Sequence, residues 1–368
     1  MISDTILESE SLQRIADPLL AWYRMNCRDL EWRRSPLPYY VWVSEVMLQQ
    51  TRVEAVKPYF SRFIRNLPDV EALSTCPEDK LLKLWEGLGY YSRARNLQKA
   101  AKVIMSEHGG IIPGEVSALL RLPGIGSYTA GAIASIAFDV PAPAVDGNVL
   151  RVLSRISASR ECIDDPRVRG SFENWIRSFL ESRMGVIRPG QFNQALMELG
   201  AVRCLPNGAP DCEDCPVQEL CLARQEGSIS QIPVRRSKKA RRIQEMTVFL
   251  IHDQSRIVVG KRPDRGLLAG LWEFPNCPGF LDIGQVSARV QGLGYSPIRI
   301  RALPKQVHIF THVEWHMAGY LVLSEEMEDA GDGRLQAALI ETVQKEYSIP
   351  TAFARFFRYF AYIQEGAS

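Results

Sequence analysis

The sequence LPGIGSYTAGAIAS, residues Leu122–Ser135, decides the fold of the first half of the chain. Gly124 and Gly126 can both adopt positive φ, which allows a tight turn and a close approach of the backbone to another group. The small residues that follow favour a helix that starts at this turn. Backbone N–H groups at such a helix start point outward and can bind an anion. The pattern therefore predicts an anion-binding turn, with an ordinary interhelical turn as the alternative.

The segments before this turn have the apolar spacing of helices. Val43 and Met47 lie one helical turn apart before it, as do Leu97 and Ala101. A helix-hairpin-helix element places such a turn between two helices and holds one DNA phosphate without reading the base sequence. We therefore predict a mostly helical domain over residues 1 to about 225, with a phosphate site at the turn.

The composition changes in the second half of the chain. The segment PVRRSKKARR, Pro233–Arg242, is basic and nearly free of apolar residues, which indicates a linker with a positive face. Two β-rich runs around a polar turn follow in MTVFLIHDQSRIVVGKRP, and the run VHIFTHVEWHMAGYLVL alternates as a strand does. Helical patterns return near Leu335–Tyr347 and Ala352–Tyr362. The expected fold is multidomain, with a mostly α domain over 1–225, a basic linker over 226–246 and an α+β domain over 247–362.

Length and composition are those of a globular protein with two domains. The chain has 368 residues, of which 46% are apolar and 23% charged, and its formal net charge is +2. A nearly neutral charge neither supports nor excludes a nucleic-acid partner, because a local basic face is what matters. No apolar stretch is long enough for a membrane span, and the acidic start MISDTILESE lacks the pattern of a signal peptide. We expect a cytoplasmic monomer that does not engage a membrane.

Four of the eight cysteines lie close together, in the sequence CLPNGAPDCEDCPVQELC. Four thiolates at this spacing can surround one small inorganic core. Both a tetrahedral zinc ion and a cubane iron–sulfur cluster suit them. Four unrelated thiols are the alternative, which this density disfavours in a cytosolic chain. The pattern predicts a structural or DNA-contacting metal site on Cys204, Cys212, Cys215 and Cys221.

Two carboxylates lie in sequence contexts that predict opposite protonation states. Glu45 lies in the apolar stretch WVSEVML, where loss of solvation raises the pKa of a carboxyl group and suits it to act as a general acid. Asp146 follows a proline-rich loop and precedes a periodic apolar helix, so it can cap that helix and stay ionised. A surface glutamate and a purely structural cap are the alternatives. One protonated and one ionised acid form the pair that glycosidic-bond cleavage needs.

Together these motifs resemble those of the helix-hairpin-helix DNA glycosylases, and within them the MutY-type adenine DNA glycosylases. The resemblance covers nearly the whole chain through WVSEVMLQQT, GLGYYSRARNL, LPGIGSYTAGAI, VDGNVLRV, FNQALMELGA and the cysteine run. It implies one 4Fe-4S cluster on the four cysteines, although the first gap between them is seven residues where six is usual in the family. It also implies removal of adenine mispaired with 8-oxoguanine or guanine in double-stranded DNA.

The resemblance implies roles for individual residues as well. Glu45 would protonate adenine at N7 after the base has left the stack, and Asp146 would stabilise or trap the oxocarbenium ion. Tyr128 and Asn148 would position these carboxylates or the attacking water. The adenine-pocket positions are Arg28 and Gln194, and the DNA-contacting positions are Arg33, Gln50, Thr51, Leu88, Tyr90, Gly124 and Gly126.

Departures and alternatives accompany these assignments. Endonuclease III-like members of the superfamily carry a lysine inside the hairpin turn, where this chain has Tyr128. Because that amine nucleophile is missing, the resemblance implies a monofunctional glycosylase with little strand cleavage. In RDLEWR, Glu31 occupies a position where proline is common, two residues before Arg33. Ordinary helix packing is the alternative for Leu88 and Tyr90.

The second domain, which contains GLLAGLWEFP, resembles the Nudix-like C-terminal domain of these enzymes. A Nudix hydrolase needs a glutamate-rich box to hold metal on a diphosphate, but between Pro275 and Pro297 the only acid is Asp282. We therefore predict recognition of 8-oxoguanine and no pyrophosphatase activity. Phe310–His312 matches the family loop that checks the oxidised base, with Thr311 in place of a common serine. From alternation alone, one face of a strand is the alternative.

Two other functions fit parts of the sequence. A bifunctional oxidised-pyrimidine glycosylase with lyase activity would form an amine-linked DNA adduct that borohydride traps, and Tyr128 argues against it. In a non-catalytic DNA-binding protein with a structural metal, Glu45→Gln and Asp146→Asn would leave DNA binding and any base release unchanged. Acid-labile sulfide in the purified protein would distinguish an iron–sulfur cluster from zinc.

Overall fold

The chain forms two compact units. The computed structural model describes residues 9–206, 209–237, 240–325, 327 and 334–365. The first unit contains the chain up to Thr75 together with Asn96–Ser237, and the second contains Cys76–Arg95 together with the chain after Ser237. The first unit is helical and the second contains a sheet, which confirms the expected multidomain fold class.

Helices make up the first part of the chain. In chain order they are α1 (Ser9–Asn26), α2 (Glu31–Arg34), α3 (Pro38–Leu48), α4 (Val53–Asn66), α5 (Val70–Thr75), α6 (Glu78–Trp85), α7 (Ser92–His108), α8 (Val116–Leu119), α9 (Ser127–Phe138), α10 (Gly147–Ile156), α11 (Pro166–Ser182), α12 (Pro189–Val202) and α13 (Leu222–Gln225). Of these, α6 and the first turn of α7 belong to the second unit. Within the described residues, none of the helices is long and apolar enough to cross a membrane. Most of the acidic start MISDTILESE precedes the described residues.

The helices of the first unit pack around a large apolar core. One cluster of this core is formed by α1, α10, α11 and α12, and it buries Phe172, Phe179 and Phe192 almost completely. The helix α3 contributes the buried Trp42, and α9 packs against both α3 and α12. Pro189 starts α12, where its missing N–H leaves no hydrogen bond unmade. This packing fixes the helix ends and faces from which the candidate site is built.

The stretch Leu122–Ser135 contains the predicted turn between α8 and α9, followed by the first nine residues of α9. Gly124 has a φ of 78°, and a Cβ atom there would lie 2.6 Å from Cβ of Asn96. Both the backbone conformation and the available space therefore require glycine at this position. Gly126 differs from the expectation, because it is the N-cap of α9 with a φ of −97° and has open space beside it. One of the two glycines thus supplies the left-handed conformation.

The second unit contains a mixed sheet with helices on both faces. In chain order its elements after Ser237 are β1 (Arg242–His252), β2 (Arg256–Lys261), β3 (Trp272–Glu273), β4 (Asn276–Pro278), α14 (Ile283–Gln291), β5 (Pro297–Ile309), β6 (Val313–Ser324), β7 (Leu335–Leu339), α15 (Ile340–Glu346) and α16 (Thr351–Glu365). The strand order is β3-β2-β1-β6-β5, with β4 beside β1 and β7 beside β2. The strands β1 and β6 are parallel, and the other pairs are antiparallel.

Side chains of β1 alternate between two cores, one on each face of the sheet. Val248 and Leu250 belong to the core that includes α15 and α16, whereas Phe249 and Ile251 belong to the core that includes α14. Both faces of the central strand are therefore covered. Asp282, the acid that stands in the expected Nudix-box region, caps α14 in a capping box.

Two details of the second unit differ from sequence expectations. Leu335–Leu339, expected as the start of a helix, is a strand that pairs with β2, and the helix starts only at Ile340. Leu, Gln and Ala all favour helix, so pairing with β2 overrides the local preference of the short sequence LQAAL. The strand alternative for Phe310–His312 is also wrong, since β5 ends at Ile309 and β6 begins at Val313. Phe310–His312 form the turn between these two antiparallel strands.

The segment Cys76–Arg95 is joined to the sheet of the second unit by polar contacts. Lys83 Nζ donates to the carbonyl oxygen of Gln344 at 2.7 Å. A carboxyl oxygen of Glu86 accepts from the backbone N–H of Ile349 at 2.9 Å. The residues just before the GLGYYSRARNL motif are thereby held against the sheet-containing part of the second unit.

Candidate active site

A cleft in the first unit brings together residues from distant parts of the sequence. Its volume is about 1120 Å³, and its walls come mainly from α2, α3, α9, α10 and α12. Glu45, Tyr128 and Asp146 all line it. The other expected site residues that line the same cleft are Asn148, Arg28, Arg33, Gln194, Gln50, Thr51 and Gly126.

Glu45 is a buried carboxyl group near the end of α3. Only 6% of the residue is exposed, and its helix neighbours Trp42, Val43 and Met47 are buried as well. Burial raises the pKa of Glu45 to about 7, because the charged form loses solvation, and the hydrogen bond from Tyr128 opposes this shift. A carboxyl group with this pKa is substantially protonated at neutral pH and can serve as a general acid.

Tyr128 lies in the first turn of α9 and supports Glu45. Its hydroxyl group donates to Glu45 Oε2 and lies 3.2 Å from Sδ of Met197. Burial raises the pKa of Tyr128 well above its usual value, and the charges of Glu45 and Asp146 add to this effect. The side chain is therefore a neutral phenol that donates a hydrogen bond to the candidate acid.

Asp146 is the N-cap of α10, as its sequence context predicts. Its Oδ1 accepts from the backbone N–H groups of Asn148 at 2.9 Å and Val149 at 2.8 Å, and its Oδ2 accepts from Asn148 Nδ2 at 2.8 Å. Burial raises the pKa of Asp146, and the N–H donors of Val149 and Asn148 oppose the shift. These donors and the helix dipole favour the ionised carboxylate. Glu45 and Asp146 thus line the same cleft, but apolar burial dominates around Glu45, whereas N–H donors surround the carboxyl group of Asp146.

Arg151 connects the Asp146 cap to the segment that carries the first clustered cysteine. Its Nη2 donates to Asn148 Oδ1 and to the Gly200 carbonyl oxygen, each at 2.8 Å, and its Nε donates to the Cys204 carbonyl oxygen at 2.8 Å. Gly200 is required here, because a Cβ atom would lie 2.6 Å from Cβ of Asn148. Arg151 was not among the residues predicted from the sequence, although an arginine three residues after Asn148 on a helix is the signal for such a contact.

Glu198 is a second cleft residue that was not predicted from the sequence. It is fully buried on α12 and accepts from Arg28 Nε, Arg28 Nη2 and Arg33 Nη2, each at 2.7 Å. Burial alone would raise the pKa of Glu198, but the hydrogen bonds from Arg28 and Arg33 outweigh it and hold the pKa at about 2. A glutamate in the apolar run FNQALMELGA was the available signal. One turn earlier on α12, Gln194 Nε2 donates to the Gly190 carbonyl oxygen at 3.1 Å.

Gln50 and Thr51 lie just after the end of α3, where they line the cleft. Gln50 is exposed and has a φ of 58°, which residues other than glycine rarely adopt. Thr51 is partly exposed, and its hydroxyl group lies 3.4 Å from the Gln49 carbonyl oxygen. Unusual backbone conformation of this kind is concentrated at functional sites, so the geometry is compatible with a contact to a ligand in the cleft.

The four clustered cysteines line one small cavity together with Val152 and Ile156 of α10 and Leu199 of α12. Arg155 Nη1 donates to the sulfur atom of Cys204 at 3.2 Å. Residues 207 and 208, in the first cysteine gap, lie outside the described part of the chain. Within the described part, no three His, Cys, Asp or Glu side chains are grouped as ligands of a single metal ion. The cysteines that line the cavity are Cys204, Cys212, Cys215 and Cys221.

The second unit brings together expected residues from both of its segments. The Tyr90 hydroxyl group lies 2.8 Å from Thr311 Oγ1. Tyr90 is 47% exposed and has a φ of 48°, whereas Leu88 is only 6% exposed. The Phe310 ring packs edge-on against Trp315, with ring centroids 4.9 Å apart. The exposed side of this group of residues is therefore formed by Tyr90, Thr311 and the neighbouring His312.

Comparisons with known proteins agree with both units. A family model described as HhH-GPD superfamily base excision DNA repair protein matches residues 43–178, and a NUDIX domain model matches residues 247–359. The structure of a thermostable thymine-DNA glycosylase is 25% identical with a TM-score of 0.52, over 59% of this chain and 98% of that one. The fold and the cleft therefore define a base excision DNA glycosylase of the helix-hairpin-helix class.

Similar curated proteins indicate which kind of DNA glycosylase the chain resembles. An adenine DNA glycosylase of Mus musculus is 38% identical, over 80% of this chain and 68% of that protein. An adenine DNA glycosylase of Buchnera aphidicola subsp. Schizaphis graminum is 33% identical, over 83% of this chain and 86% of that protein. The chain belongs to the adenine DNA glycosylase family.

Proposed function

We propose that the chain hydrolyses the N-glycosidic bond of adenine mispaired with 8-oxoguanine, or with guanine, in duplex DNA. Glu45 is the general acid, and Asp146 stabilises or traps the oxocarbenium ion. The observation that carries this proposal is the presence of the two carboxyl groups in one cleft, with Glu45 at a pKa of about 7 and Asp146 held by three N–H donors. Such a pair matches the acid and the anion that cleavage of a glycosidic bond requires.

The reaction requires adenine to leave the base stack and enter the cleft. Glu45 gives a proton to N7, which makes the neutral base a good leaving group. The sugar then carries positive charge, which the Asp146 carboxylate offsets. Tyr128 holds one oxygen of Glu45 through its hydroxyl group, and Asn148 holds one oxygen of Asp146. Water then forms a bond to the anomeric carbon, and its proton passes to the Glu45 carboxylate, which restores the acid.

The adenine pocket is proposed to include Arg28, Gln194 and Glu198. The paired guanidinium and carboxyl groups keep the wall rigid, because Arg28 donates to Glu198 through three N–H groups. Gln194 has an amide that can both donate and accept, which suits the edge of a purine. Arg33, which lines the same cleft, also forms an ion pair with Glu198 at 2.7 Å.

We propose that the enzyme is monofunctional. The lysine that would attack the sugar in endonuclease III-like enzymes is replaced by Tyr128, whose phenol is neutral and engaged with Glu45. A neutral phenol cannot form the imine that strand cleavage by β-elimination requires. The product is therefore an abasic site opposite 8-oxoguanine.

One 4Fe-4S cluster is proposed on Cys204, Cys212, Cys215 and Cys221. The fit is supported by four sulfur donors around one cavity, the donor type that iron–sulfur clusters use, and by the N–H of Arg155 at the sulfur of Cys204. When bound, the cluster would supply a redox-capable inorganic cross-link. The chain's own contribution is the path from Cys204 through Arg151 to Asn148, which connects the cysteine segment to the Asp146 cap.

We further propose that the second unit recognises 8-oxoguanine. The turn Phe310–His312 is exposed at Thr311 and His312 and carries a hydroxyl group that can bond to an oxidised base. The adjacent Tyr90, together with Gln50 at the cleft, is proposed to enter the duplex, with Thr51 contacting the strand beside it. Leu88, from the same motif as Tyr90, is proposed to lie beside the contacted strand. Gly124 and Gly126 would hold a phosphate at the start of α9.

The test is a base-excision assay on duplexes that differ in one pair. Duplexes with adenine opposite 8-oxoguanine, guanine or thymine are incubated with the protein, and alkali then reveals abasic sites. We expect alkali-labile sites at adenine opposite 8-oxoguanine and guanine, and none opposite thymine. Strand breaks without alkali, or borohydride-trapped adducts, would support the bifunctional alternative. Absence of alkali-labile sites in the 8-oxoguanine duplex would refute the proposed activity.

A further inference from the structure

We propose that Arg241 positions the turn Phe310–His312 and contacts a backbone phosphate of the strand that carries 8-oxoguanine. The inference rests on the proposed recognition role of this turn and extends it to the basic segment. That segment, PVRRSKKARR, could from the sequence be either a solvated linker or a DNA contact. Lys238 and Lys239 of this segment lie outside the described residues, whereas Arg241 and Arg242 are described.

The end of the basic segment lies directly against the recognition turn. Arg241 Nε donates to the carbonyl oxygen of Phe310 at 3.1 Å. The backbone N–H of Arg242 donates to the carbonyl oxygen of His312 at 3.2 Å. The parallel pairing of β1 with β6 starts with Arg242 opposite Val313. Arg241 is therefore the last residue before the sheet, and its side chain contacts the turn.

Each residue of the turn has its own contact within the second unit. The Thr311 hydroxyl group forms a hydrogen bond with the Tyr90 hydroxyl group, and the His312 carbonyl oxygen accepts from the N–H of Arg242 at the start of β1. The Phe310 carbonyl oxygen accepts from the side chain of Arg241. Because this carbonyl belongs to the planar peptide that joins Phe310 to Thr311, its hydrogen bond restrains the direction in which Thr311 leaves the turn. Arg241 thereby acts on the hydroxyl group that is proposed to meet the oxidised base.

Arg241 also retains donors for a second partner. A guanidinium group has five N–H donors in a fixed planar fork, of which Phe310 uses the one on Nε. The residue is exposed, and in the described part of the chain neither Nη group donates to a protein acceptor. The nearest acid along β6, Glu314, is already paired with His316 at 2.9 Å. The two free Nη groups match the spacing of two phosphate oxygens. The strand that carries 8-oxoguanine has such a phosphate in its backbone.

The experiment measures binding of the full chain to two duplexes, with adenine opposite 8-oxoguanine and opposite guanine. Asp146→Asn serves as the non-cleaving parent, and Arg241→Gln and Arg241→Lys are made in it. Arg299→Gln is the matched control, because it removes one exposed arginine of the same unit at the far end of β5. Dissociation constants are measured over a range of salt concentrations. Circular dichroism of each variant checks that the sheet is intact.

We expect Arg241→Gln to reduce the preference for the 8-oxoguanine duplex several-fold and to reduce the slope of log K against log salt by about 0.9, the share of one phosphate. Arg241→Lys should retain most of the slope and lose part of the preference, since one ammonium group cannot hold the carbonyl oxygen and the phosphate in the same geometry. Arg299→Gln should leave the preference unchanged.

A preference in Arg241→Gln equal to that of the parent would overturn the positioning role. A fall in preference with an unchanged slope would overturn the phosphate contact. A parent without preference would instead refute the proposed recognition of 8-oxoguanine, and this inference with it.

Discussion

The hydroxyl group of Tyr128 and the buried carboxyl group of Glu45 are joined by a hydrogen bond between α9 and α3. The helix that starts at the glycine turn therefore also supports the candidate general acid. Two opposing effects act on Glu45, because burial raises its pKa and the tyrosine hydroxyl group lowers it, with a result of about 7. Through the side chain of Tyr128, the glycine turn that precedes α9 is thereby connected to the carboxyl group that gives the proton in the proposed reaction.

Base excision is expected to slow as the pH rises through about 7, the pKa of Glu45. The proposed reactive form is protonated, so the active fraction falls about tenfold for each pH unit above the pKa. Asp146 must be ionised, and its pKa is raised by burial, so the rate also falls toward acidic pH. Single-turnover rate constants on the 8-oxoguanine duplex give this profile.

Glu45→Gln provides the control for the alkaline limb of that profile. Glutamine fills the same space but has no proton to give, so we expect a loss of about 10²–10⁴-fold. The remaining rate should not fall between neutral and mildly alkaline pH. An alkaline limb that persists unchanged in this variant would mean that another group controls it.

Tyr128→Phe is expected to move the alkaline limb to higher pH. The tyrosine hydroxyl group lowers the pKa of Glu45, so its removal leaves the effect of burial less opposed and raises that pKa further. The rate at neutral pH should fall modestly, because one oxygen of Glu45 is no longer held. Tyr39→Phe is the matched control, since it removes a buried hydrogen bond of similar kind, to the Leu67 carbonyl oxygen at 2.9 Å. If both variants have the same pH profile, the Tyr128 hydroxyl group does not set the pKa of Glu45.

The sequence was informative where a feature depends on neighbouring residues. The burial of Glu45 follows from the apolar run around it, and the Asp146 cap follows from the loop and helix on either side of it. The left-handed conformation at Gly124 is likewise a local property. By contrast, the partner of Arg28 lies 170 residues away, so no local pattern could pair it with Glu198.

In the second unit, strand positions were also hard to predict, because they depend on pairing between segments that are far apart in the sequence. Leu335–Leu339 is a strand because β2 is available beside it, and its own composition does not require one. The turn Phe310–His312 interrupts an alternating run, and only the antiparallel pairing of β5 with β6 reveals where the chain reverses. The contact of Arg241 with that turn could not be foreseen, because it depends on parallel pairing between strands 71 residues apart, such as Arg242 and Val313.

Arg151→Met is expected to weaken both catalysis and stability. The guanidinium group ties Asn148, Gly200 and the Cys204 carbonyl oxygen together at 2.8 Å, and methionine keeps the bulk but none of the donors. Buried acceptors without a donor cost about 1–3 kcal/mol, so the melting temperature should fall by several degrees. The excision rate should fall as well, because Asn148 no longer holds Asp146 in place. Rate constants, thermal unfolding and iron content are measured on the same preparations.

Arg177→Met is the control for that variant. Arg177 is an exposed residue of α11 whose hydrogen bond is to Asn174 at 2.9 Å, so its replacement should change neither rate nor iron content. An Arg151→Met enzyme with normal excision and normal stability would show that the contacts to Asn148 and Cys204 are dispensable.

Glu198→Gln is expected to destabilise the first unit. The change leaves Arg28 and Arg33 without their anion in a wall where the glutamate side chain is 0% exposed and the arginines are 29% and 15% exposed. Removal of one partner of a buried ion pair costs about 3–5 kcal/mol, and partial solvent access of the arginines places this case near the lower end. Glu54→Gln is the control, because its ion pair with Lys57 is exposed and is worth at most about 0.5 kcal/mol.

The pH dependence of unfolding tests the same contact with a defined sign. The folded pKa of Glu198 is about 2, below its ordinary value of 4.5, so the carboxylate stabilises the fold fully above 4.5 and loses this contribution as the pH falls toward 2. The difference in unfolding free energy between the unmodified chain and Glu198→Gln should therefore shrink steadily across that window. Denaturant unfolding at a series of acidic pH values measures it. A difference that stays constant down to pH about 2, or one no larger than that of Glu54→Gln at neutral pH, would show that the buried pair contributes little to the fold.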